Sequence, residues 1–323
     1  MKILFVTNMY PTSDCIYNGI HVKEQITALT KKYSLQHQIV FINGRQSKLN
    51  YLKSIFSINK LIRNNNFDII HIHFGLSGIF LLFNPFLKTP SIVTIHGSDT
   101  MAGKAYGLML PITKMVVKLV KKVIIMNEKM SDLFVNQKNK LVQIPCGIDV
   151  SIFDIGRHNN GKIFKIGFPS SKTRLGKNFL LFKQIIDSLI IQGFQIEIVE
   201  FHNLTRAEVI ENLSVLDCLL FTSLYEGSPQ IIKEAMGAGV PIVSTNVGDI
   251  KYILAGVDNC YIIDSFEPDQ FLEPMKKIIL QNREERCTNG KKKIVELQLD
   301  QDSVVSKLFN IYKDVITENE KKA

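Results

Sequence analysis

Residues 217–245 read Asp-Cys-Leu-Leu-Phe-Thr-Ser-Leu-Tyr-Glu-Gly-Ser-Pro-Gln-Ile-Ile-Lys-Glu-Ala-Met-Gly-Ala-Gly-Val-Pro-Ile-Val-Ser-Thr, and few folds accommodate that order. The short apolar runs Cys218–Thr222 and Pro241–Thr245 predict two buried strands. Between them Glu226-Gly227 forms a turn, and a helix is expected from about Pro229. Ser228 stands at the N-cap position and Pro229 at the first helical position, where a missing N–H costs nothing. Ile231, Ile232, Ala235 and Met236 supply one apolar stripe, and Gly239 followed by Pro241 ends the helix. Parallel strands require a crossover, so the stretch predicts a right-handed strand–helix–strand unit.

The start of that helix has chemical consequences. The N–H groups of Gln230 and Ile231 have no intrahelical acceptor there, and the helix dipole favours negative charge, which makes a seat for a phosphate. Two carboxylates flank it: Glu226 before the helix and Glu234 within it, seven residues intervening. Taken by themselves they read as a loop acid and a solvated helix acid.

Elsewhere the chain alternates strands and helices. Lys2–Thr7 predicts a buried parallel strand, and further strands are expected at Gln38–Ile42, Phe67–His73, Ser91–Ile95, Lys122–Met126 and Leu141–Ile144. Helices fit Ile20–Lys32, Leu49–Asn64, Leu76–Phe83, Ala105–Lys121 and Lys129–Asn136. This is the pattern of a doubly wound α/β domain, whose ligands bind beyond the carboxyl ends of the strands. The loop Asn8–Gly19 is rich in turn formers, and Gly19 immediately before a helix can bring backbone amides close to a phosphate. His71 and His73 share one face of a strand with no third ligand in the pattern, so a structural role is expected. His96 follows the strand Ser91–Ile95 and, alone, reads as a turn histidine.

A second α/β domain is expected over residues 163–300, after a polar linker and hinge at 151–162. It opens with the strand Ile163–Phe168 and the loop Pro169-Ser-Ser-Lys-Thr-Arg-Leu-Gly-Lys-Asn178. A helix to about Gln192 and a strand Gln195–Glu200 follow. Beyond the central stretch come Tyr261–Ile263 and helices from about Pro268 to Leu299. A final helix, about Gln301–Thr317, is expected to fold back on the N-terminal domain (1–150), with a frayed tail at Glu318–Ala323.

Four segments in order carry a family resemblance. Glu226-Gly-x-x-x-x-x-x-Glu234-Ala-Met-x-x-Gly-x-Pro-Ile-Val resembles the Glu-x7-Glu signature of glycosyltransferase family 4, the group 1 retaining glycosyltransferases. Tyr10-Pro11…Gly19-Ile20-His21-Val22…Gln25 is similar to that family's first loop and helix. Thr94-Ile-His96-Gly-Ser-Asp99 resembles its Thr-x-His-Gly-x-Asp element. Ile144-Pro-Cys146-Gly-Ile-Asp149 resembles Ile-Pro-Asn-Gly-Ile-Asp, with Cys replacing the usual Asn.

The resemblance implies a GT-B architecture, two Rossmann-like doubly wound parallel-sheet domains facing a cleft. The N-terminal domain would bind the acceptor and the C-terminal domain the nucleotide-sugar. It implies transfer of a sugar from a nucleotide-diphospho-sugar, UDP or GDP being the expected carriers, to a lipid-linked or saccharide hydroxyl with retention of configuration. Arg174 and Lys177 would neutralise the donor diphosphate together with the amides of Gln230 and Ile231. Lys172 competes with Arg174 for the first of these roles: it has the commoner spacing, while a guanidinium grips phosphate bidentately. Glu226 would orient the sugar hydroxyls, Glu234 the ribose, and His96 would flank the reacting carbon. Gly19, Asp99, Gly227 and Ser228 complete the expected donor and acceptor contacts. No metal ligand and no cofactor is expected. After Glu200 the chain is more compact than typical relatives, which shortens one flank of the nucleotide pocket.

The charge is divided unevenly. Residues 1–160 hold 19 Lys and Arg against 8 Asp and Glu, while residues 161–323 hold 20 against 22. A basic N-terminal half fits an anionic membrane surface or a polyanionic acceptor, or simply lysine as the default surface cation. No aromatic–basic interleaving, zinc spacing or recognition helix points to nucleic acid. Five scattered cysteines give neither a metal spacing nor a disulfide framework and fit a reducing cytoplasm. No apolar run reaches the ~20 residues of a spanning helix, and Met1–Val6 is too short for a signal peptide, so a cytoplasmic protein is expected. Together with the basic N-terminal half, the family resemblance implies an enzyme peripheral on the inner face of the membrane, in bacterial surface polysaccharide or glycolipid assembly. Two other readings fit less well: a non-catalytic nucleotide-sugar-binding subunit, and a GT-B nucleotide-sugar epimerase. A dinucleotide oxidoreductase would need a glycine fingerprint that the chain lacks.

Overall fold

The computed structural model describes residues 1–97, 106–154, 156 and 163–321. The chain divides into two compact units, the first comprising Met1–Asp14, Asn18–Cys146 and Gln301–Ala323, the second Cys15–Tyr17 and Gly147–Asp300.

In the first unit six parallel strands form one sheet: β1 (Lys2–Thr7), β2 (Gln36–Phe41), β3 (Ile69–His73), β4 (Ser91–Ile95), β5 (Lys122–Ile125) and β6 (Leu141–Gln143), in the order β2-β1-β3-β4-β5-β6. Helices α1 (Ile20–Lys32), α2 (Leu49–Arg63) and α3 (Tyr106–Leu119) connect them. Ile3, Leu4, Phe5 and Val6 are all fully buried, as a central strand covered on both faces requires. Two expected helices are instead 3-10 segments, Gly75–Phe83 and Glu128–Lys140. In the first, Gly75 and Gly78 sit so close to Thr113 and Val116 of α3 that a Cβ would meet their side chains at 2.3 and 2.6 Å. In the second, Phe134 and Gln137 leave helical geometry and break the coil.

The second unit has five parallel strands, β7 (Phe164–Phe168), β8 (Ile196–Glu200), β9 (Cys218–Phe221), β10 (Ile242–Thr245) and β11 (Cys260–Ile263), ordered β11-β10-β9-β7-β8. Its helices are α4 (Phe179–Ile191), α5 (Arg206–Val215), α6 (Gln230–Gly237), α7 (Ile250–Ile253), α8 (Asp269–Leu280) and α9 (Gly290–Glu296). Of the segment expected as a linker, residues 155 and 157–162 lie outside the described residues. Its beginning is no loose tether: Phe153 is fully buried in the core of the second unit, and the neighbouring Ile148 N–H donates to Leu299 O at 3.1 Å.

Helix α10 (Gln301–Glu320) returns to the first unit. Val304, Val305, Leu308, Tyr312 and Val315 join the core that surrounds β1. The Tyr312 hydroxyl meets His71 Nδ1 at 2.5 Å, and Thr94 Oγ1 meets His71 Nε2 at 2.7 Å. His71 and His73 stack at 4.2 Å, both fully buried, in the structural role expected of them. The tail expected to fray from Glu318 is helical to Glu320, and Asn319 Nδ2 donates to Lys88 O at 3.2 Å.

Both sheets have a switch point, where chain order reverses between neighbouring strands: β1/β3 in the first and β7/β9 in the second. Open parallel sheets bind ligands beyond the carboxyl ends of the strands at such points. The segments there are 8–19, 74–75, 169–178 and 222–228.

Candidate active site

In the second unit the loop after β7 is fastened to the end of β9. Leu224 N–H donates to Gly176 O at 2.9 Å, and Thr222 Oγ1 donates to the carbonyls of Lys177 and Asn178 at 3.1 and 3.2 Å. A Cβ on Gly176 would lie 2.8 Å from the end of the exposed Tyr225 ring, which would have to shift to admit it. Asn178, at φ 52°, then starts α4, its side chain accepting from Leu181 N–H. These contacts bring Lys177 Nζ to 2.5 Å from Glu226 Oε1. Their side chains are only 12% and 17% exposed.

The other basic candidates separate. Lys172 Nζ pairs with Glu200 Oε2 at 3.2 Å and its backbone N–H with Glu200 Oε1 at 3.2 Å. Arg174 reaches Ser170 Oγ through a long 3.5 Å contact.

Helix α6 begins at Gln230 and its N-cap is Pro229, not Ser228 as the sequence predicts. Ser228 Oγ is drawn elsewhere: it accepts from Lys233 Nζ at 3.2 Å. The amides of Gln230 and Ile231 stand at the first two helical positions, where no intrahelical acceptor exists. The Gln230 side chain donates to Gly147 O at 3.1 Å. Glu234 is not a solvated acid. It is buried and pairs with Arg206 Nη1 at 2.7 Å, while Arg206 also lies over the Phe153 ring at 4.8 Å.

The loop after β10 lies flat on the same turn. Gly248, at φ 63°, has room only for hydrogen, since a Cβ would meet Gly227 O at 2.7 Å and Glu226 O at 3.0 Å. Next to it Asp249 is 6% exposed. Burial pushes its carboxyl pKa up, the nearby Lys233 charge and Ser228 oppose this, and the Glu226 charge adds to it. Lys233 is itself fully buried.

Sequence reasoning missed Arg206, Lys233 and Asp249. Thr205-x-x-Glu208 is a capping box, and it fixes Arg206 at the first position of α5. Lys233 interrupts the apolar stripe between Ile232 and Ala235, which is the one signal that a charge is buried there. Asp249 follows a glycine and reads as an ordinary turn acid.

In the first unit Gly19 is left-handed, at φ 67°, and a Cβ there would lie 2.3 Å from Met9 O, so the loop after β1 closes tightly onto the start of α1. His96 follows β4. Its Nε2 meets His73 Nδ1 at 3.1 Å, its Nδ1 lies 3.7 Å from Cys146 Sγ, and its ring sits 4.4 Å from Phe74. Burial, with the three neighbouring histidines, holds the His73 pKa well below its usual value. Asp99, expected beside His96, lies outside the described residues.

One Asp-x-Asp triplet, a spacing able to chelate a metal, occurs at Asp300-Gln301-Asp302. Here the two acids serve structure. Asp302 pairs with Lys32 Nζ at 2.7 Å, and Asp300 forms a parallel bridge with Ile148.

Solved structures with this architecture include a sucrose-phosphate synthase from Thermosynechococcus elongatus, 12% identical, with a TM-score of 0.78 over 98% of this chain and 99% of that one. HepE from Anabaena, solved with UDP, is 12% identical, with a TM-score of 0.71 over 97% and 100%. S. aureus TarM is 16% identical, with a TM-score of 0.62 over 81% of this chain and 58% of that one. At such identities the likeness defines the fold, which is GT-B. A search of curated proteins finds no match. The family is decided by sequence models: Glycosyltransferase Family 4 matches residues 16–152, and Glycosyl transferases group 1 matches residues 183–281. The chain belongs to the group 1 glycosyltransferases of family 4.

Proposed function

We propose that the protein transfers a sugar from a nucleotide-diphospho-sugar to an acceptor hydroxyl with retention of anomeric configuration. The observation that carries this reading is the Lys177–Glu226 contact at the β7/β9 switch point, beside the open amides of α6. A cation and helix amides at one place suit a departing diphosphate, and the adjacent carboxylate suits sugar hydroxyls.

In this mechanism the bond between the anomeric carbon and the diphosphate oxygen breaks while positive charge builds on the sugar ring. Lys177, Arg174 and the amides of Gln230 and Ile231 stabilise the leaving group without a metal. Glu226 orients the sugar, Glu234 accepts from the ribose hydroxyls, and His96 flanks the reacting carbon. The acceptor oxygen attacks from the face the diphosphate leaves, and its proton passes to a phosphate oxygen. Solved HepE complexes contain UDP, UDP with glucose, and UDP-glucose, which favours UDP as the carrier tested first.

The acceptor is a lipid-linked or saccharide hydroxyl, presented at an anionic membrane face by the basic N-terminal unit. On α2, Leu49, Leu52 and Phe56 are exposed alongside Lys53, Lys60 and Arg63, and the helix carries no acid. Among the described residues no helix is long and apolar enough to cross a membrane. Hydrolysis screening over UDP-, GDP- and ADP-sugars, with and without EDTA, tests the chemistry. Turnover of one UDP- or GDP-sugar that survives EDTA is expected, and strict metal dependence or no turnover with any donor overturns it.

A further inference from the structure

His21, His96 and Cys146 converge in the first unit, and the mechanism above uses only one of them. One nitrogen of each histidine and the Cys146 sulfur all lie within 4.8 Å of one another. The Cys146 Sγ to His96 Nδ1 distance is 3.7 Å. In a tetrahedral zinc site, bonds of about 2.3 Å to sulfur and 2.0–2.1 Å to nitrogen make such an edge roughly 3.5 Å. Both histidines are half-buried, so an ion can reach them and a side chain can turn to close the widest spacing.

The surroundings also suit ligation. His73 is fully buried, and its Nδ1 faces His96 Nε2 at 3.1 Å. If His96 donates its Nε2–H to His73, the Nδ1 lone pair of His96 points toward Cys146. An outer hydrogen bond of this kind fixes the tautomer of a metal-ligating histidine. Two imidazoles and a thiolate form a borderline-soft donor set that suits zinc, whereas magnesium and calcium seek oxygen.

We propose that His21, His96 and Cys146 bind one Zn²⁺, with the fourth position open to water. Binding converts the Cys146 thiol to a thiolate and releases its proton to solvent. The ion engages His96, so zinc inhibits the enzyme; this consequence rests on the proposed function, whereas the binding does not.

Titration of the metal-stripped full chain with Co²⁺, followed by displacement with Zn²⁺, tests the site. A thiolate-to-cobalt charge-transfer band saturating at one ion per chain is expected, with tetrahedral d–d bands that zinc removes. Cys146→Asn and Cys146→Ser abolish the charge-transfer band, His21→Ala weakens ion affinity by at least tenfold, and Cys287→Ser changes neither. Circular dichroism identifies a variant that has failed to fold, and the remaining ones then decide. No charge-transfer band in the wild type, or a band that survives both Cys146 substitutions, overturns the site. Zinc inhibition of donor hydrolysis in the wild type, relieved in Cys146→Asn, links the ion to His96. Absence of donor hydrolysis would sink the transferase reading, and the cobalt spectrum would still decide the site.

Discussion

Lys177 Nζ and Glu226 Oε1 stand 2.5 Å apart on two loops held together by the Gly176 and Thr222 contacts. Each charge answers the other, so a donor that engages both must supply a replacement for each: phosphate for the ammonium and hydroxyls for the carboxylate. Removing one charged ligand of a leaving group costs about 2.7–4 kcal/mol in the barrier. Lys177→Ala should therefore lower turnover at saturating donor by at least ~100-fold. Glu226→Gln keeps the shape and should retain UDP binding in calorimetry while losing transfer. Near-normal turnover of Lys177→Ala would refute the assignment.

Arg206 and Glu234 form the second pair, at 2.7 Å, with Glu234 almost wholly buried. Breaking a buried pair from one side leaves an uncompensated charge and costs about 3–5 kcal/mol; Arg206 is 21% exposed, so the lower end applies. Arg206→Ala should destabilise the second unit by roughly 3 kcal/mol in denaturant unfolding, and Arg206→Ala/Glu234→Gln by clearly less. If Glu234 also holds the ribose, Glu234→Gln raises the donor KM more than it lowers kcat. Equal stability of Arg206→Ala and wild type would show that the pair is solvent-screened.

Much of this architecture was legible in the sequence, because buried parallel strands announce themselves as short apolar runs. Helix α1 spans the residues its stripe predicts, and β4 likewise. The Glu226–Glu234 stretch was readable because its turn, helix and flanking strands agree with one another. What pairs with those acids was not. Arg206 lies 28 positions from Glu234 and Lys177 lies 49 from Glu226, so the contacts depend on sheet order, which a linear pattern does not encode. Ser228 satisfies the local rule for an N-cap, yet the buried Lys233 competes for its hydroxyl, and tertiary contact overrides the local preference.

Lys233 and Asp249 pose a coupled problem. Both are buried next to the Glu226 turn, and Lys233 favours the charged form of Asp249 while burial disfavours it. Lys233→Met should therefore leave Asp249 costly to ionise, whereas Lys233→Met/Asp249→Asn should recover part of the loss. A double-mutant cycle on unfolding free energy should give a coupling of about 1 kcal/mol or more. Additive effects would show that the two charges do not sense each other.

The exposed face of α2 makes a separate claim. Leu49, Leu52 and Phe56 are at least half exposed, with Lys53, Lys60 and Arg63 on the same side and no acid in the helix. Apolar side chains with basic neighbours insert into a headgroup layer and are drawn to anionic lipid, each basic residue near the surface contributing about 1 kcal/mol. Cosedimentation with vesicles containing phosphatidylglycerol should exceed that with phosphatidylcholine alone and fall as salt rises. Phe56→Ser/Lys53→Glu should remove most of it. Equal binding to both vesicle types would point away from an anionic surface.

His71 is expected to make the first unit sensitive to acid. It is fully buried between Tyr312 and Thr94, and burial pushes its pKa down to about 3 from 6.5. The folded unit thus keeps His71 neutral where the unfolded chain would protonate it. This contribution to stability is fully present above the unfolded pKa of 6.5 and is lost as pH falls toward about 3. Within that window His71 alone gives a slope of up to about 1.4 kcal/mol per pH unit. His73 acts in the same direction. Hydrogen exchange of β1 and β3 amides, which reports opening of this unit by itself, should therefore show protection decreasing between pH 6.5 and 4 after correction for intrinsic rates. His71→Gln, which can still hydrogen-bond Tyr312 and Thr94 but does not titrate, should flatten the dependence by roughly that slope. An unchanged slope in His71→Gln would move the acid sensitivity to the carboxylates, since His71 would then contribute nothing to it.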